Sequence, residues 1–230
     1  MHHIQRKILN LLMYAPSLTY AQMRPKGVES NHFAYHLEQI VKSGYVTKQD
    51  RKYMLSPEGL ALADRVSHAD MSIRDQPHII TAAYITNNAG QTLVFKHTFH
   101  PYMDRYGFPQ GRIHFDEPLA ESASREVAEK TGLYDIALTH VGMAYITAMR
   151  GDGIVSKLLA HVFVGKVKGM PKLAAPTMHG MPLWENLESL QGSQFMPGYW
   201  RIHELMKSTP AGTLFFDEII EDLDAAQTQT

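Results

Sequence analysis

Gly107-Phe108-Pro109-Gln110-Gly111, then Arg112-Ile113-His114-Phe115-Asp116-Glu117, and after seven further residues Arg125-Glu126-Val127-Ala128-Glu129-Lys130-Thr131-Gly132-Leu133, form the most informative stretch of the chain. Residues 118–131 are good helix formers, and Gly132 stands where a C-terminal helix glycine belongs. Glu126, Glu129 and Lys130 are three and four apart and share one helix face. Leu119, Ala123 and Val127 line another face, which is apolar. A carboxylate face beside a glycine-rich loop suits Mg²⁺ or Mn²⁺ holding a polyphosphate, because Mg²⁺ is held by one or two carboxylates plus phosphates and water. Spacing alone also fits a solvated charged face.

The full pattern resembles the Nudix box, Gly-x5-Glu-x7-Arg-Glu-U-x-Glu-Glu-x-Gly-U with U aliphatic. Gly111, Glu117, Arg125, Glu126, Val127, Glu129, Gly132 and Leu133 match it, and Phe108-Pro109-Gln110-Gly111 resembles the usual Leu-Pro-Gly-Gly opening. With its flanking strands the resemblance extends over residues 78–208. It implies that Glu126 and Glu129 are metal ligands or the catalytic base, with the Gly111 carbonyl as a further ligand. Arg125 would orient the acidic cluster, and Glu117 would support the loop–helix junction. The implied cofactor is Mg²⁺ or Mn²⁺, and the implied ligand is a nucleotide-type small molecule. One position departs from the family: Lys130 stands where the second Glu of the Glu-Glu pair is expected. The substitution removes a negative charge and adds a positive one. At about 4 Å and an effective dielectric near 20, each such charge–charge interaction is about 4 kcal/mol. The change weakens a divalent-cation site, and it equally offers Lys130 as a fixed counter-ion for a substrate phosphate.

Outward from the box, His78–Thr86 and Thr92–Thr98 are rich in Ile, Val, Ala and Tyr and flank Asn87-Asn88-Ala89-Gly90, a strand–turn–strand pattern. Thr139–Thr147 and Ile154–Val167 read as long strands, separated by Arg150-Gly151-Asp152-Gly153. A last helix is expected at Tyr199–Met206. Phe216–Leu223 reads as an acidic, partly apolar segment, and Asp224–Thr230 as a fraying tail. The expected fold is α/β (α+β): a Nudix α/β/α sandwich around a mixed sheet. Glu185 and Glu188, in Leu183-Trp184-Glu185-Asn186-Leu187-Glu188, are candidates for a further metal-binding or catalytic glutamate, with Glu188 better placed to start a helix. His97, His100, His114, His140, His161 and His179 match no dedicated zinc spacing and read as scattered. Tyr106 and Tyr145 are candidates to stack on a nucleotide base, as are Tyr102 and Phe163, with core packing the alternative for each.

Upstream of the body, Ile4, Ile8, Leu11 and Leu12 predict an amphipathic helix over residues 3–14. Thr19 with Gln22 is a capping-box pattern opening a short helix at 20–24. Ser30 is expected to cap a third helix whose stripe is Phe33, Leu37, Ile40 and Val41, closed by Gly44. Strands at Tyr45–Lys48 and Lys52–Leu55 follow, joined by Gln49-Asp50-Arg51, and Ser56-Pro57 opens a fourth helix over 57–68. Three helices, a hairpin and a closing helix make a small winged helix-turn-helix domain. The phrase from His36 to Val46, continued through Tyr53–Gly59, resembles winged-helix regulators of the ArsR/MarR type over residues 4–66. In such a fold the third helix enters the major groove of double-stranded DNA. That helix would present Asn31, His32, Tyr35, His36 and Gln39 to base edges, while Lys42, Lys48, Arg51 and Lys52 would meet phosphates. The alternative use of such a module is dimerisation or protein contact. The expected organisation is thus 1–68 winged helix, 69–77 linker, 78–210 Nudix domain and 211–230 acidic segment and tail.

The 230-residue chain has a formal charge of −1, which hides an asymmetry. Residues 1–56 carry eight Lys/Arg (Arg6, Lys7, Arg24, Lys26, Lys42, Lys48, Arg51, Lys52) against Glu29, Glu38 and Asp50, a balance of +5. A basic head on an acidic body points to nucleic-acid contact by the head. With no cysteine, disulfides, thiolate metal sites and a cysteine nucleophile are excluded. No apolar run approaches the roughly 18 residues of a membrane span. The Arg6–Met13 stretch mimics a signal peptide only loosely, so a cytoplasmic location without membrane contact is expected, and a homodimer would strengthen a modestly charged head. Two functions follow: hydrolysis or binding of a nucleoside diphosphate linked to another group, or a transcription regulator whose weakened Nudix domain senses a metabolite such as ADP-ribose. Nudix-related regulators carrying a winged helix usually place it after the Nudix domain, whereas here it precedes.

Overall fold

A computed structural model of the chain describes residues 1–67, 71–73, 75–210 and 212–223. The chain divides into two compact units, Met1–Asp75 and Gln76–Thr230. The expected linker falls partly, and the expected fraying tail wholly, outside the described residues.

The first unit begins with α1 (His3–Met13), strand β1 (Leu18–Thr19), α2 (Tyr20–Met23) and α3 (Ser30–Lys42). Strands β2 (Val46–Gln49) and β3 (Lys52–Leu55) and helix α4 (Pro57–Arg65) complete it. Helix α1 starts at a capping box of His2 and Gln5, and α2 at one of Thr19 and Gln22. Ser56 accepts the Gly59 amide at 3.0 Å and so caps α4, which ends at Arg65, short of the expected 68. Ser30 is not the cap of α3; Glu29 occupies that position without a side-chain bond, and the Tyr20 hydroxyl lies 3.1 Å from the Ser30 hydroxyl. Ile4, Ile8, Leu9 and Leu12 of α1 bury against Phe33, Leu37 and Ile40 of α3 and against Val46 and Tyr53 of the hairpin. The sheet order is β1-β3-β2, all antiparallel. Asp50 and Arg51 both take positive φ (48° and 64°), which matches the twist of a two-residue hairpin turn and lifts Arg51 clear of the sheet.

The second unit is built on β4 (His78–Asn87), β5 (Thr92–His97), β6 (Tyr106–Gly107), β7 (Gln110–Arg112), α5 (Leu119–Thr131), β8 (Thr139–Arg150), β9 (Gly153–Val167), β10 (Gly180–Glu185), α6 (Tyr199–Ser208) and β11 (Phe215–Asp222). An eight-stranded mixed sheet runs β10-β5-β4-β9-β8-β11, with β6 on β5 and β7 on β4. The β4–β9 and β8–β11 pairs are parallel, and the rest are antiparallel. Alternation along β4 separates two cores. Ile80 and Ala82 face the layer containing Tyr199 and Ile202 of α6. Ala83 and Ile85 face Val127 of α5. The sheet is therefore covered by one helix on each face, as the α/β/α expectation requires. The segment expected to be merely acidic is instead edge strand β11, with Phe215 and Ile219 buried in the α6-side core. Its paired apolar and paired acidic residues obscure the two-residue period that marks a strand.

Candidate functional site

Strand β7 brings Gly111 opposite Thr81 of β4, and α5 crosses the α5 face of the sheet behind it. Helix α5 stops at Gly132, whose φ of +73° is the left-handed C-cap conformation. The buried Glu126 carboxylate lies so close to the loop that a Cβ on Gly111 would sit 1.8 Å from its Cδ. Only glycine permits that approach, which puts the loop backbone and the carboxylate in one cradle.

Arg125 organises the surrounding charge. Its guanidinium donates to Glu117 at 2.6 and 2.9 Å, to Glu126 at 2.7 Å and to Glu129 at 3.3 Å, and also to the Arg112 carbonyl at 3.1 Å. Glu117 also accepts the His114 amide at 2.7 Å, which pins the loop to the start of the helix. The Arg125 hydrogen bonds hold the Glu117 carboxyl well below the ordinary carboxylate range, and the Glu117 bonds in turn raise Arg125. Glu129 remains exposed.

The Lys130 ammonium donates to the Gln110 carbonyl, stands 3.6 Å from Glu126 Oε2 and lies 5.6 Å above the Phe95 ring. Burial lowers its pKa, and the Glu126 charge opposes that fall. Phe95 and His97 occupy the α5 face of β5, and the sequence reading missed both as site residues. His97 is buried, neither ring nitrogen has a hydrogen-bond partner among the described residues, and burial, then the Lys130 charge, lower its pKa to about 4. Thr81 Oγ1 and Gln110 Oε1 are likewise buried without partners. Buried polar groups are normally paired; Thr81 shares the α5 face of β4 with Ala83 and Ile85, whereas the Gln110 side chain turns to the α6-side core, where its Nε2 donates to Met196 Sδ at 3.8 Å. The oxygen donors of Gly111, Glu126 and Glu129 suit a hard divalent cation in kind. Arg125 and Lys130, two cations among three carboxylates, reduce the pull such an ion would feel.

The two tyrosines expected to stack on a base lie in different settings. Tyr106 is half-buried and packs against the α6-side core, its ring 5.8 Å from Phe195. Tyr145 pairs with Leu159 and Glu218 in the sheet, half-buried, under the Lys157 ammonium at 5.1 Å. Glu188 sits in a single turn of 3-10 helix and binds Lys207 at 2.6 Å, and Glu185 ends β10. Of the six histidines expected to be scattered, His140 and His161 meet across β8 and β9 at 3.3 Å. A separate cavity of about 640 Å³, lined among others by Tyr84, Val141, Val164, Met206 and Phe215, lies on the α6 face and includes no box residue.

In the first unit, Asn31, His32 and Tyr35 of α3 are exposed, as are Lys42, Lys48, Arg51 and Lys52. His36 is a correction: at 7% exposure it belongs to the buried stripe with Phe33, Leu37 and Ile40 and stacks on His2, so it cannot meet a base edge. Gln39 is half-buried. Lys42 is engaged by Glu38 at 3.0 Å, and Lys48 lies 5.5 Å from the Tyr53 ring. The charge balance also changes at the observed boundary. Residues 1–75 hold ten Lys/Arg and seven Asp/Glu, a net +3, because Glu58, Asp64, Asp70 and Asp75 outweigh Arg65 and Arg74. No helix among the described residues is long and apolar enough to cross a membrane.

Residues 76–207 match the family model described as NUDIX domain. No curated protein matches the chain. Among solved structures, the MutT protein of Bacillus halodurans is similar at 17% identity with a TM-score of 0.51, over 64% of this chain and 92% of that one. The NUDIX domain of Shewanella oneidensis NrtR, cocrystallised with ADP ribose, is similar at 15% identity with a TM-score of 0.51, over 65% and 96% of the two chains. At these identities the likeness is one of fold.

Proposed function

The chain belongs to the NUDIX domain family, and we propose that its body binds a nucleoside diphosphate linked to another group and hydrolyses it slowly. One observation carries this reading: the Lys130 ammonium is lodged between the Gln110 carbonyl and Glu126. An ammonium has three donors. One donates to the Gln110 carbonyl and Glu126 is an ion-pair neighbour at 3.6 Å, so donor capacity is left for a phosphate oxygen. The Arg125 guanidinium is committed to Glu117, Glu126 and Glu129, so it holds the cluster and not the substrate. The residues that would hold Mg²⁺ or Mn²⁺ are Glu126, Glu129 and the Gly111 carbonyl, and the ion would neutralise charge developing on the phosphates. In the reaction, water attacks phosphorus, the bond to the bridging oxygen breaks, and the exposed Glu129 carboxylate takes the water proton. With Lys130 already neutralising Glu126, that assembly favours holding the diphosphate over turning it over.

The test is a nucleotide panel, with ADP ribose included, assayed with Mg²⁺ and with Mn²⁺ for wild type and Lys130→Glu. Restoring the carboxylate is expected to raise the metal-dependent rate at least about tenfold, a barrier change of about 1.4 kcal/mol, and to weaken metal-free nucleotide binding. Wild-type rates equal to or above those of the variant would overturn the reading.

The first unit supports a second function. Its order of helices, hairpin and closing helix fits the winged-helix reading, and its exposed polar α3 face and basic hairpin would suit double-stranded DNA. On this reading Asn31, His32 and Tyr35 face bases, and Lys48, Arg51 and Lys52 face phosphates. Together the two units describe a DNA-binding protein that responds to a nucleotide, provided the nucleotide binds its two DNA-affinity states unequally. A homodimer would double the modest charge of one head.

A further inference from the structure

The start of α1 and the middle of α3 bring three imidazoles together in a cluster that the diphosphate reading does not use and that shares only His32 with the DNA reading. His2 is the N-cap of α1, and His32 and His36 stand four apart on α3, where a helix places side chains on one face. The ligating nitrogens of these three residues all lie within 4.8 Å of one another. His32 Nε2 and His36 Nε2 are 3.1 Å apart, and the His2 ring stacks on His36 with centroids at 3.9 Å. His36 is more than nine-tenths buried, and its Nδ1 has no hydrogen-bond partner among the described residues. The Tyr35 ring packs on His36 at 5.2 Å, but the polar neighbours of its imidazole are the other two imidazoles, and a buried nitrogen without a hydrogen bond calls for a partner.

We propose that His2, His32 and His36 form a binding site for a divalent transition metal of the zinc class, with a fourth position open to water. The donor type selects the ion. Neutral imidazole suits zinc, copper, nickel and iron, whereas Mg²⁺, Ca²⁺ and Mn²⁺ prefer oxygen ligands. The spacing also fits. Zinc–nitrogen bonds of about 2.0–2.1 Å in a tetrahedron put ligand nitrogens about 3.4 Å apart, and the His32–His36 pair is within a few tenths of an ångström of that. His2 closes the remaining gap by a side-chain rotation at an exposed position. Each imidazole must be neutral to ligate. Occupancy would have one local cost. His2 Nδ1 accepts the Ile4 amide at 3.3 Å, and a metal on Nε2 would require Nδ1 to carry the proton, which releases that long cap bond. A bound ion would then replace the cap as the tie between the start of α1 and α3. An ion held by His32 would take that imidazole away from a base edge, so on this site the DNA reading keeps only Asn31 and Tyr35 as base contacts.

The experiment is a titration of the full chain with Zn²⁺ alone, in competition with a chromophoric chelator, with long-range ¹H–¹⁵N spectra of the histidine rings. His32→Asn removes an exposed ligand and leaves the core untouched, so its fold is expected to survive, as circular dichroism will check. His3→Ala is the control, because His3 adjoins the cluster without belonging to it. The expected result is one ion bound per chain, ring signals of three histidines displaced, affinity reduced at least about tenfold by His32→Asn, and no change with His3→Ala. Zinc binding of equal affinity in wild type and His32→Asn would overturn the site, because the ion would then be held elsewhere, for example by the carboxylates of the body. Absence of binding to wild type would overturn it too.

Discussion

Arg125 donates to three carboxylates and a carbonyl at once, which a lysine ammonium cannot do, because only the planar guanidinium presents its donors in a rigid fork. Glu117, its strongest partner, has a depressed pKa in the folded chain, so its contribution is present above the ordinary value of 4.5 and is lost as pH falls below it. His97 sets a different window. Its folded pKa is lowered from 6.5 to about 4 by burial, then by the Lys130 charge. Below pH 6.5 the unfolded chain takes a proton that folded His97 refuses until about 4, so stability falls with pH across that interval. His97→Phe keeps a ring of similar shape and removes the titration. Urea unfolding from pH 7 down to pH 4 should show wild type losing on the order of 2–3 kcal/mol more than the variant. Equal losses in the two proteins would show that His97 does not refuse the proton.

At the scale of elements, β11 makes a sharp prediction about alternation. Ile219 is buried in the α6-side core, and its neighbour Ile220 is exposed. Ile219→Ala should cost about 2–4 kcal/mol in chemical denaturation, whereas Ile220→Ala should change stability by no more than about 0.5 kcal/mol. A solvated acidic segment would make the two substitutions equivalent. The same strand shows what the sequence concealed. Helix α5 was legible because Leu119, Ala123 and Val127 repeat at helical spacing and because the box fixes Gly111, Glu117, Arg125 and Glu126 by count. The run Phe215-Phe216-Asp217-Glu218-Ile219-Ile220-Glu221-Asp222 changes character every two residues, so it matches neither a helix nor a strand period. Strands β6 and β7, of two and three residues, are too short to show any period. His97 lies beside Lys130 only because β5 runs beneath α5, a juxtaposition that no local spacing encodes. His36 was misread because the α3 stripe advances by three and then four residues from Phe33, and that rule, strictly applied, buries His36 with Leu37 and Ile40.

At the scale of the whole molecule, the charge total of −1 resolves into a first unit of +3 and a second of −4. A surplus of three charges is small for a nucleic-acid partner, so position must supply what quantity does not. The hairpin turn at Asp50 and Arg51 projects Arg51 between Lys48 and Lys52, all exposed. If these three each neutralise one phosphate, three counterions are released per chain, and log K should fall with log salt at a slope of about −2.7. Lys48→Glu, Arg51→Glu and Lys52→Glu made together in the full chain leave the cores of both units unchanged. They should abolish measurable binding to duplex DNA by fluorescence anisotropy. Wild-type affinity that is flat between about 50 and 200 mM salt would remove the electrostatic basis of DNA binding. Affinity that survives the triple reversal would move the contact away from the hairpin. Either outcome would leave α3 and the hairpin to dimerisation or protein contact, and would leave the proposed nucleotide chemistry of the NUDIX domain to act without a DNA readout.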